Sequence, residues 1–246
     1  MEIINSNIFQ ILIDIMKITN DELKIQACLL IGSLVHISLG RTKCKDCLPA
    51  VQEILLETKN VKLLEAIGWM LVKLTADREG CEIAVDTKTE RAMIEELVTK
   101  TSSFTFQQAN TPFLIYLLES LKELSTIDKG ILPFVGIGAI TSLKILIDQK
   151  SKYDFGSYKE QVQTLTLRIL GNIGFNGSGR GEVIEEGTLE ICWKYLDSSN
   201  KEIKRNAAYL LMTCSIVIKG KQHLVDYKYD GKHAIIEVIL LVETYK

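Results

Sequence analysis

The sequence has few residues that break helices and no strong charge bias. Its 246 residues include 3 Pro and 7% aromatic residues, and Leu, Ile, Lys and Glu dominate, which favours helices over many short strands. The 29 Lys and Arg residues are balanced by 31 Asp and Glu residues. Because proteins that bind the phosphate backbone are usually basic, we do not expect this chain to bind nucleic acid. The ordinary share of apolar residues excludes a disordered or collagen-like chain.

Signals for secretion and membrane insertion are also missing. The N-terminal stretch MEIINSNIFQ has no basic region and no small-residue cleavage site, so no secretory signal is predicted. The longest uncharged apolar stretch is Ala207–Ile218, shorter than the roughly 18–20 residues that span a bilayer. We therefore expect a cytoplasmic protein with no membrane partner, whose 6 Cys residues are reduced thiols.

The dominant pattern is a repeated amphipathic helix. It occurs in five segments: Ile25–Ile37, Lys62–Thr75, Pro112–Ser125, Glu160–Gly174 and Glu202–Val217. We align them on one position near the end of each: His36, Lys73, Glu123, Asn172 and Thr213. The residues ten, six and two positions before this reference residue, and one after it, are apolar except for Gln26 and Thr166. These spacings trace one helical stripe, which predicts that Leu71, Leu121 and Leu211 are equivalent core residues.

A shorter helix is predicted before each of these segments. The five are Ile8–Lys17, Pro49–Glu57, Glu90–Lys100, Ala139–Gln149 and Leu189–Asp197, and a sixth, Lys232–Glu243, follows. A small helix ahead of a pair is predicted at Gly130–Val135, Glu182–Glu186 and Gln222–Asp226. Helix units at a period of roughly 40 residues are typical of armadillo and HEAT solenoids. We therefore predict an all-α, right-handed solenoid of five repeats plus a partial sixth, forming a single domain over residues 1–246; a four-helix bundle does not account for so many short helices.

Three stretches resemble the armadillo repeat family. Gly187–Leu196, GTLEICWKYL, is similar to the second helix of that repeat, and Lys201–Cys214, KEIKRNAAYLLMTC, is similar to its third helix. Ile169–Ile173, ILGNI, matches the ending in which an Asn follows two aliphatic positions. The resemblance implies a scaffold that binds protein partners, without catalysis, cofactor, metal or small-molecule substrate.

A narrower resemblance lies near the end of the chain. Ile203–Leu224 is similar to the C-terminal repeats of the armadillo subunits of the radial spoke in motile cilia. It implies a non-enzymatic subunit of the spoke in the axoneme of a cilium or flagellum, whose partners are other spoke or axonemal subunits. The alternative is a general cytosolic adaptor that binds a peptide or protein in its concave groove.

Candidate partner-binding residues follow from the repeat register. Nuclear-import armadillo adaptors carry an Asn ladder whose amides hold an extended peptide, with Trp three positions earlier. Here the ladder and the two tyrosines beside it are His36, Lys73, Tyr116, Glu123, Asn172, Tyr209 and Thr213. The residues three positions before the ladder are Ser33, Met70, Ser120, Ile169 and Leu210. We therefore predict a surface for one dedicated partner, with a solvated groove as the alternative, and no binding of a basic nuclear-localisation peptide.

Other local signals favour structural roles. The run Gly171–Gly181 lacks the Lys and Ser/Thr of a phosphate loop, so it predicts a helix-terminating turn in which Gly174, Gly177, Gly179 or Gly181 has a positive φ. The lone Cys44-Lys-Asp-Cys47 motif has no second Cys pair, which favours a loop between helices over a zinc site. The pairs Glu95-Glu96 and Glu185-Glu186 are interpreted as solvated helix faces rather than acid/base pairs.

Two further surfaces have a partner-binding alternative. The basic run of Lys201, Lys204 and Arg205 is interpreted as a solvated face, with an acidic partner as the alternative. The apolar run near the C-terminus lacks a helix to cover it, and large exposed apolar patches usually mark interfaces. We therefore predict that a neighbouring chain covers part of this C-terminal face, which contains Ile236, Ile239 and Leu240.

Overall fold

The computed structural model describes residues 7–103, 110–148, 153–226, 228–229 and 232–233. Its helices form the predicted all-α solenoid and group into two compact units, Met1–Pro133 and Phe134–Lys246. The expected single domain over residues 1–246 stays a prediction.

The first unit contains a helix pair, two three-helix repeats and the first helix of another repeat. In chain order its helices are α1 (Ile8–Lys17), α2 (Asp21–Leu34), α3 (Ser38–Cys44), α4 (Leu48–Glu57), α5 (Val61–Leu74), α6 (Arg78–Asp86), α7 (Thr89–Ser102), α8 (Thr111–Leu124) and α9 (Asp128–Ile131). We call α2, α5 and α8 the third helices of this unit, and α2 packs on α5 and α5 on α8.

The second unit continues the same pattern. Its helices are α10 (Ala139–Ile147), α11 (Lys159–Phe175), α12 (Gly177–Glu185), α13 (Thr188–Cys192), α14 (Lys201–Cys214) and α15 (Ile218–Asp226), with 3-10 turns at Gly156–Tyr158 and Trp193–Asp197. The third helices here are α11 and α14, which pack against each other. Since α15 is the first helix of one more repeat, the predicted five repeats plus a partial sixth are confirmed within the described residues.

The predicted final helix at Lys232–Glu243 is wrong at its start. Lys232–His233 is a strand, β2, that pairs antiparallel with β1, Lys228–Tyr229. The intervening sequence contains Asp230-Gly231, a dipeptide that favours tight hairpin turns over helix. Residues 234–246, which include the predicted contacts at Ile236, Ile239 and Leu240, lie outside the described residues.

Asparagine residues begin three of the third helices. The side chains of Asn20, Asn60 and Asn200 accept hydrogen bonds from the first free backbone N–H groups of α2, α5 and α14, which stabilises each helix start. Two of these caps also join neighbouring helices, since Asn60 Nδ2 donates to Asp21 Oδ2 at 2.8 Å and Asn200 Nδ2 donates to Glu160 Oε2 at 2.8 Å. The same contact therefore links successive third helices in each unit.

A glycine in each first helix sets the register of the repeats. A Cβ atom built on any of these glycines would lie 1.6–3.0 Å from the carbonyl oxygen near the end of the preceding third helix. The five glycines are Gly40, Gly80, Gly130, Gly179 and Gly220. Each follows its ladder residue by seven positions, as Gly80 follows Lys73, so the first member of the ladder is Ser33. The predicted member, His36, is wrong because it lies beyond the end of α2.

The predicted apolar stripe is confirmed in the last four third helices. Every stripe residue there is at most 1% exposed, including Thr166, Leu71, Leu121 and Leu211. In α2 the stripe is shifted by three residues: Leu30 is 39% exposed, whereas Ile31 is fully buried. Apolar periodicity misplaced the register there because α2 also has apolar residues on its exposed side, including Leu29 and Leu30.

The glycine-rich run is helix rather than the predicted turn. Positive φ angles occur at Gly136, Gly138, Gly156, Gly187 and Lys88 in the described residues, and at none of the four predicted glycines. Asn176 instead caps α12 by accepting a hydrogen bond from Ser178 N. Within α12, Arg180 donates to Gly174 O and Phe175 O at 2.8 and 2.7 Å. These bonds satisfy carbonyl groups at the end of α11, so the run closes one helix and starts the next.

Candidate functional site

The third helices of the first unit expose one polar and aromatic face. On α5 this face contains Glu65, Trp69 and Lys73, and on α8 it contains Tyr116, Glu119 and Glu123, all of which are half-buried. Spacings of three and four residues place these side chains on one side of each helix. Because the two helices pack side by side, their exposed stripes form a continuous surface, which we call the first-unit face.

Each aromatic residue on this face lies against a glycine of the preceding third helix. A Cβ atom on Gly32 would be 2.3 Å from Trp69 Cζ3, and one on Gly68 would be 2.9 Å from Tyr116 Cβ. The Lys73 Nζ atom lies 5.5 Å from the centre of the Trp69 ring, in a cation–π arrangement. Because these glycines have no side chain, the two aromatic residues can pack directly on the helix backbone. Part of each aromatic residue stays exposed.

The second unit repeats this arrangement on α11 and α14, which we call the second-unit face. A Cβ atom on Gly171 would lie 2.5 Å from Tyr209 Cδ1, so the tyrosine ring packs on α11. The Arg168 guanidinium carbon is 4.7 Å from the centre of the Tyr209 ring. Gly171 and Tyr209 occupy the same register positions as Gly32 and Trp69, so one contact recurs in both units.

Several predicted ladder residues do not reach this surface. Thr213 is fully buried and its hydroxyl donates to Leu210 O at 2.9 Å, and Asn172 is 6% exposed. His36 lies outside the ladder, where Ser33 takes its place as an exposed residue. Lys73, Glu123, Tyr116 and Tyr209 are half-buried on the two faces, and their contact with a partner stays a prediction.

The residues three positions before the ladder are mostly in the core. Met70, Ser120, Ile169 and Leu210 are all fully buried. The residues four positions before the ladder lie on the two faces instead: Trp69, Glu119, Arg168 and Tyr209. An aromatic ring beside a small residue of the neighbouring repeat is the signal that sequence reasoning missed.

Two carboxylates, Glu90 and Glu96, are buried in α7. Glu96 was predicted to be solvated, but it is 3% exposed with Lys100 Nζ 3.1 Å from its Oε1, one helical turn away. Glu90 is 5% exposed, and its Oε2 has no hydrogen-bond partner among the described residues. Burial raises the pKa of Glu96 and raises the pKa of Glu90 to about 7.

We expect Glu90→Gln to reduce the pH dependence of stability. Between about pH 4.5 and 7 the unfolded chain loses the Glu90 proton while the folded chain keeps it, so stability falls as pH rises. The free energy of unfolding then falls by up to about 1.4 kcal/mol per pH unit for one such group. Urea denaturation at pH 5, 6, 7 and 8 checks this, with the exposed neighbour Glu95→Gln as the matched variant. Parallel pH curves for Glu90→Gln and the unsubstituted chain would contradict the assignment.

The cysteine and tryptophan residues have mainly structural positions. Cys44 ends α3 and Cys47 precedes α4, which confirms the loop between helices. All six cysteines are free and buried, and burial raises the pKa of the Cys44 and Cys47 thiols to about 12. The described residues contain no group of three or more His, Cys, Asp and Glu placed to hold a metal ion. Trp193 is in the core, whereas Trp69 is partly exposed.

Within the described ranges, no single helix combines the length and hydropathy that a bilayer crossing needs. The consecutive segments Asp128–Phe134 and Ala139–Ile147 meet that requirement only when taken together, and Ile131, Phe134 and Leu143 in them are buried.

The same helix arrangement occurs in designed armadillo repeat proteins. One designed armadillo repeat protein, in complex with the peptide (KR)4, is 13% identical with a TM-score of 0.69 over 98% of this chain and 100% of its own. A computationally designed armadillo protein for modular peptide recognition is 12% identical with a TM-score of 0.69, over 96% and 98% of the two chains. A third design is 16% identical with a TM-score of 0.65, over 82% and 80%. No protein-family model and no curated protein sequence matches the chain. The chain therefore has the fold of armadillo repeat proteins.

Proposed function

We propose that this protein is a scaffold whose third-helix faces bind an extended segment of a protein partner, without catalysis or a cofactor. The observation that carries the proposal is the set of half-exposed aromatic residues, each set against a glycine of the neighbouring helix: Trp69, Tyr116 and Tyr209. Aromatic residues held in place in this way lose little freedom on binding, which is the property of interface hot spots. Designed armadillo repeat proteins of the same fold include one in complex with a peptide, which supports a comparable mode of binding here.

The chemistry of the first-unit face argues against a generic peptide groove. The ladder there has Lys73 and Glu123. Their charges suit a partner with side chains of opposite charge, whereas an Asn ladder binds the backbone of any extended peptide. The expectation that a basic nuclear-localisation peptide does not bind stays a prediction. A dedicated protein partner is the better match to these residues.

The finer part of the proposal is that the partners are other subunits of the axonemal radial spoke, in a cilium or flagellum. The similarity of Ile203–Leu224 to the spoke armadillo subunits supports it. The alternative is a general cytosolic adaptor, because armadillo repeats resemble one another across functions. The predicted coverage of Ile236, Ile239 and Leu240 by a neighbouring chain also belongs to this proposal.

Site-specific photo-crosslinking tests the scaffold role. A crosslinking amino acid at Lys73 or Glu123 should capture a partner chain, whereas the same group at the exposed Glu95 on α7 should not. Combined Trp69→Ala and Tyr116→Ala changes should reduce capture at Glu123 at least about tenfold, the usual scale of a hot-spot truncation. Equal capture at Glu95 and Glu123, or none at either face position, would contradict the proposal.

The identity of the captured chain separates the two finer readings. In cells that build motile cilia, mass spectrometry of the crosslinked product should identify a radial spoke subunit. Capture of cytosolic proteins alone, with no axonemal subunit, would favour the adaptor and reject the spoke assignment.

A further inference from the structure

The second-unit face differs in charge from the first-unit face. The helices α11 and α14 carry five cationic side chains and two carboxylates, whereas α5 and α8, which form the first-unit face, carry three cationic and three acidic side chains. The two carboxylates of α11 and α14 already have partners: Glu160 accepts from Asn200, and Glu202 lies 3.5 Å from Arg205. The excess positive charge is therefore not neutralised within these helices.

Arg168 is the cationic residue whose position is best defined on this face. Its guanidinium lies over the Tyr209 ring at 4.7 Å, and the ring itself is held against Gly171. Among the described residues, no carboxylate pairs with Arg168. By contrast, Arg41 in the first unit lies 3.0 Å from Asp77 and 2.8 Å from Glu79. The Arg168 side chain is thus positioned by a cation–π contact with Tyr209 and keeps its N–H groups available.

A guanidinium that an aromatic ring holds in place is suited to one class of ligand. The contact with the ring does not use the N–H donors of the planar guanidinium, and these donors match the two oxygens of a carboxylate. A half-buried site strengthens such a charge-assisted hydrogen bond, because the local dielectric is lower than in water. Arg205 lies one turn before Tyr209 on α14, and Lys204 is next to Arg205 in the sequence. Two further cations therefore lie near the helix position that contacts Arg168.

From this geometry and charge we propose that the second-unit face binds an acidic segment of the partner protein, with Arg168 as the anchor for its Asp or Glu carboxylates. The inference rests on the proposed scaffold function and assigns a chemistry to one part of the binding surface. It also selects between the two interpretations of Lys201, Lys204 and Arg205: they provide the long-range attraction for that acidic segment.

The test measures binding of defined peptides to the full chain by fluorescence anisotropy. The probe is a labelled peptide of four Glu-Leu repeats, compared with four Gln-Leu repeats and with (KR)4. We expect the Glu-Leu peptide to bind at least about tenfold more tightly than the Gln-Leu peptide. Its binding should weaken with added salt, and (KR)4 should not compete with it.

Variants then locate the anchor. Arg168→Gln should weaken binding of the Glu-Leu peptide about tenfold or more, the scale of one charged hydrogen bond. Arg168→Lys should lose part of the affinity because it keeps the charge but not the planar donors. Arg91→Gln, at an exposed position on α7, should change nothing. Circular dichroism confirms that each variant is folded.

Two results would overturn the inference. One is a dissociation constant above about 1 mM for the Glu-Leu peptide, or an affinity no higher than that of the Gln-Leu peptide. The other is unchanged affinity in folded Arg168→Gln and Arg168→Lys variants. Either result can coexist with partner crosslinking at Lys73 and Glu123, so this failure is distinguishable from failure of the scaffold proposal.

Discussion

Leu121→Ala is expected to lower the free energy of unfolding by about 2–5 kcal/mol, because it leaves a cavity in a close-packed core. Leu121 is fully buried in α8, at the position that Leu71 and Leu211 occupy in their own repeats. The measurement is urea denaturation of the purified full chain, followed by circular dichroism.

Leu30→Ala is the matched control for this substitution. Leu30 lies on the exposed side of α2, so the same chemical change should alter stability by less than about 1 kcal/mol. If Leu30→Ala costs as much as Leu121→Ala, the glycine-based register is wrong for the first repeat. An unchanged denaturation midpoint in Leu121→Ala would reject the shared stripe itself.

Gly80→Ala is expected to destabilise the first unit by about 3 kcal/mol. The added Cβ atom would lie 1.6 Å from Leu74 O, a backbone atom at the end of α5 that cannot turn aside as a side chain can. The helix α6 must therefore move away from α5, which loses packing at the repeat junction. Urea denaturation of the full chain measures this loss.

The control is a glycine in an equivalent helix with free space around it. Gly181 lies within α12, and no atom of the described residues would contact a Cβ atom built there within 4 Å. Gly181→Ala should therefore stabilise the chain by about 0.5–1 kcal/mol, because alanine loses less conformational freedom in a helix. Similar effects of the two substitutions would show that the contact at Leu74 O does not constrain the repeat.

The ladder register could have been derived from the sequence with one further step. Gly80, Gly130, Gly179 and Gly220 each follow a ladder residue by seven positions, and only Gly40 conflicts with the choice of His36. That conflict points to Ser33, the residue that the structure places in the ladder. The apolar pattern alone was insufficient there because Leu30 and Ile37 mimic a buried stripe while lying on the surface.

The composition of the binding faces depended on neighbours that are distant in sequence. Apolar periodicity describes one helix against one core, and it identified Leu71 and Leu121 correctly. A third helix also has a neighbouring helix on its side, which buries Met70 and Thr213 and leaves Trp69 and Tyr209 partly exposed. The neighbouring helix decides which of these side chains it covers, so the periodicity of one helix does not predict them.

The sequence by itself determined the helical class, the repeat period, the core stripe of four third helices and the absence of a phosphate-loop pattern, because each depends on local spacing and composition. Only the tertiary structure decided that Glu96 is buried and that Arg168 lies over Tyr209. Both depend on which residues of other helices come into contact with them. Local propensity selects a helix and its apolar side, whereas the side chains that remain available to a partner are those that packing leaves uncovered.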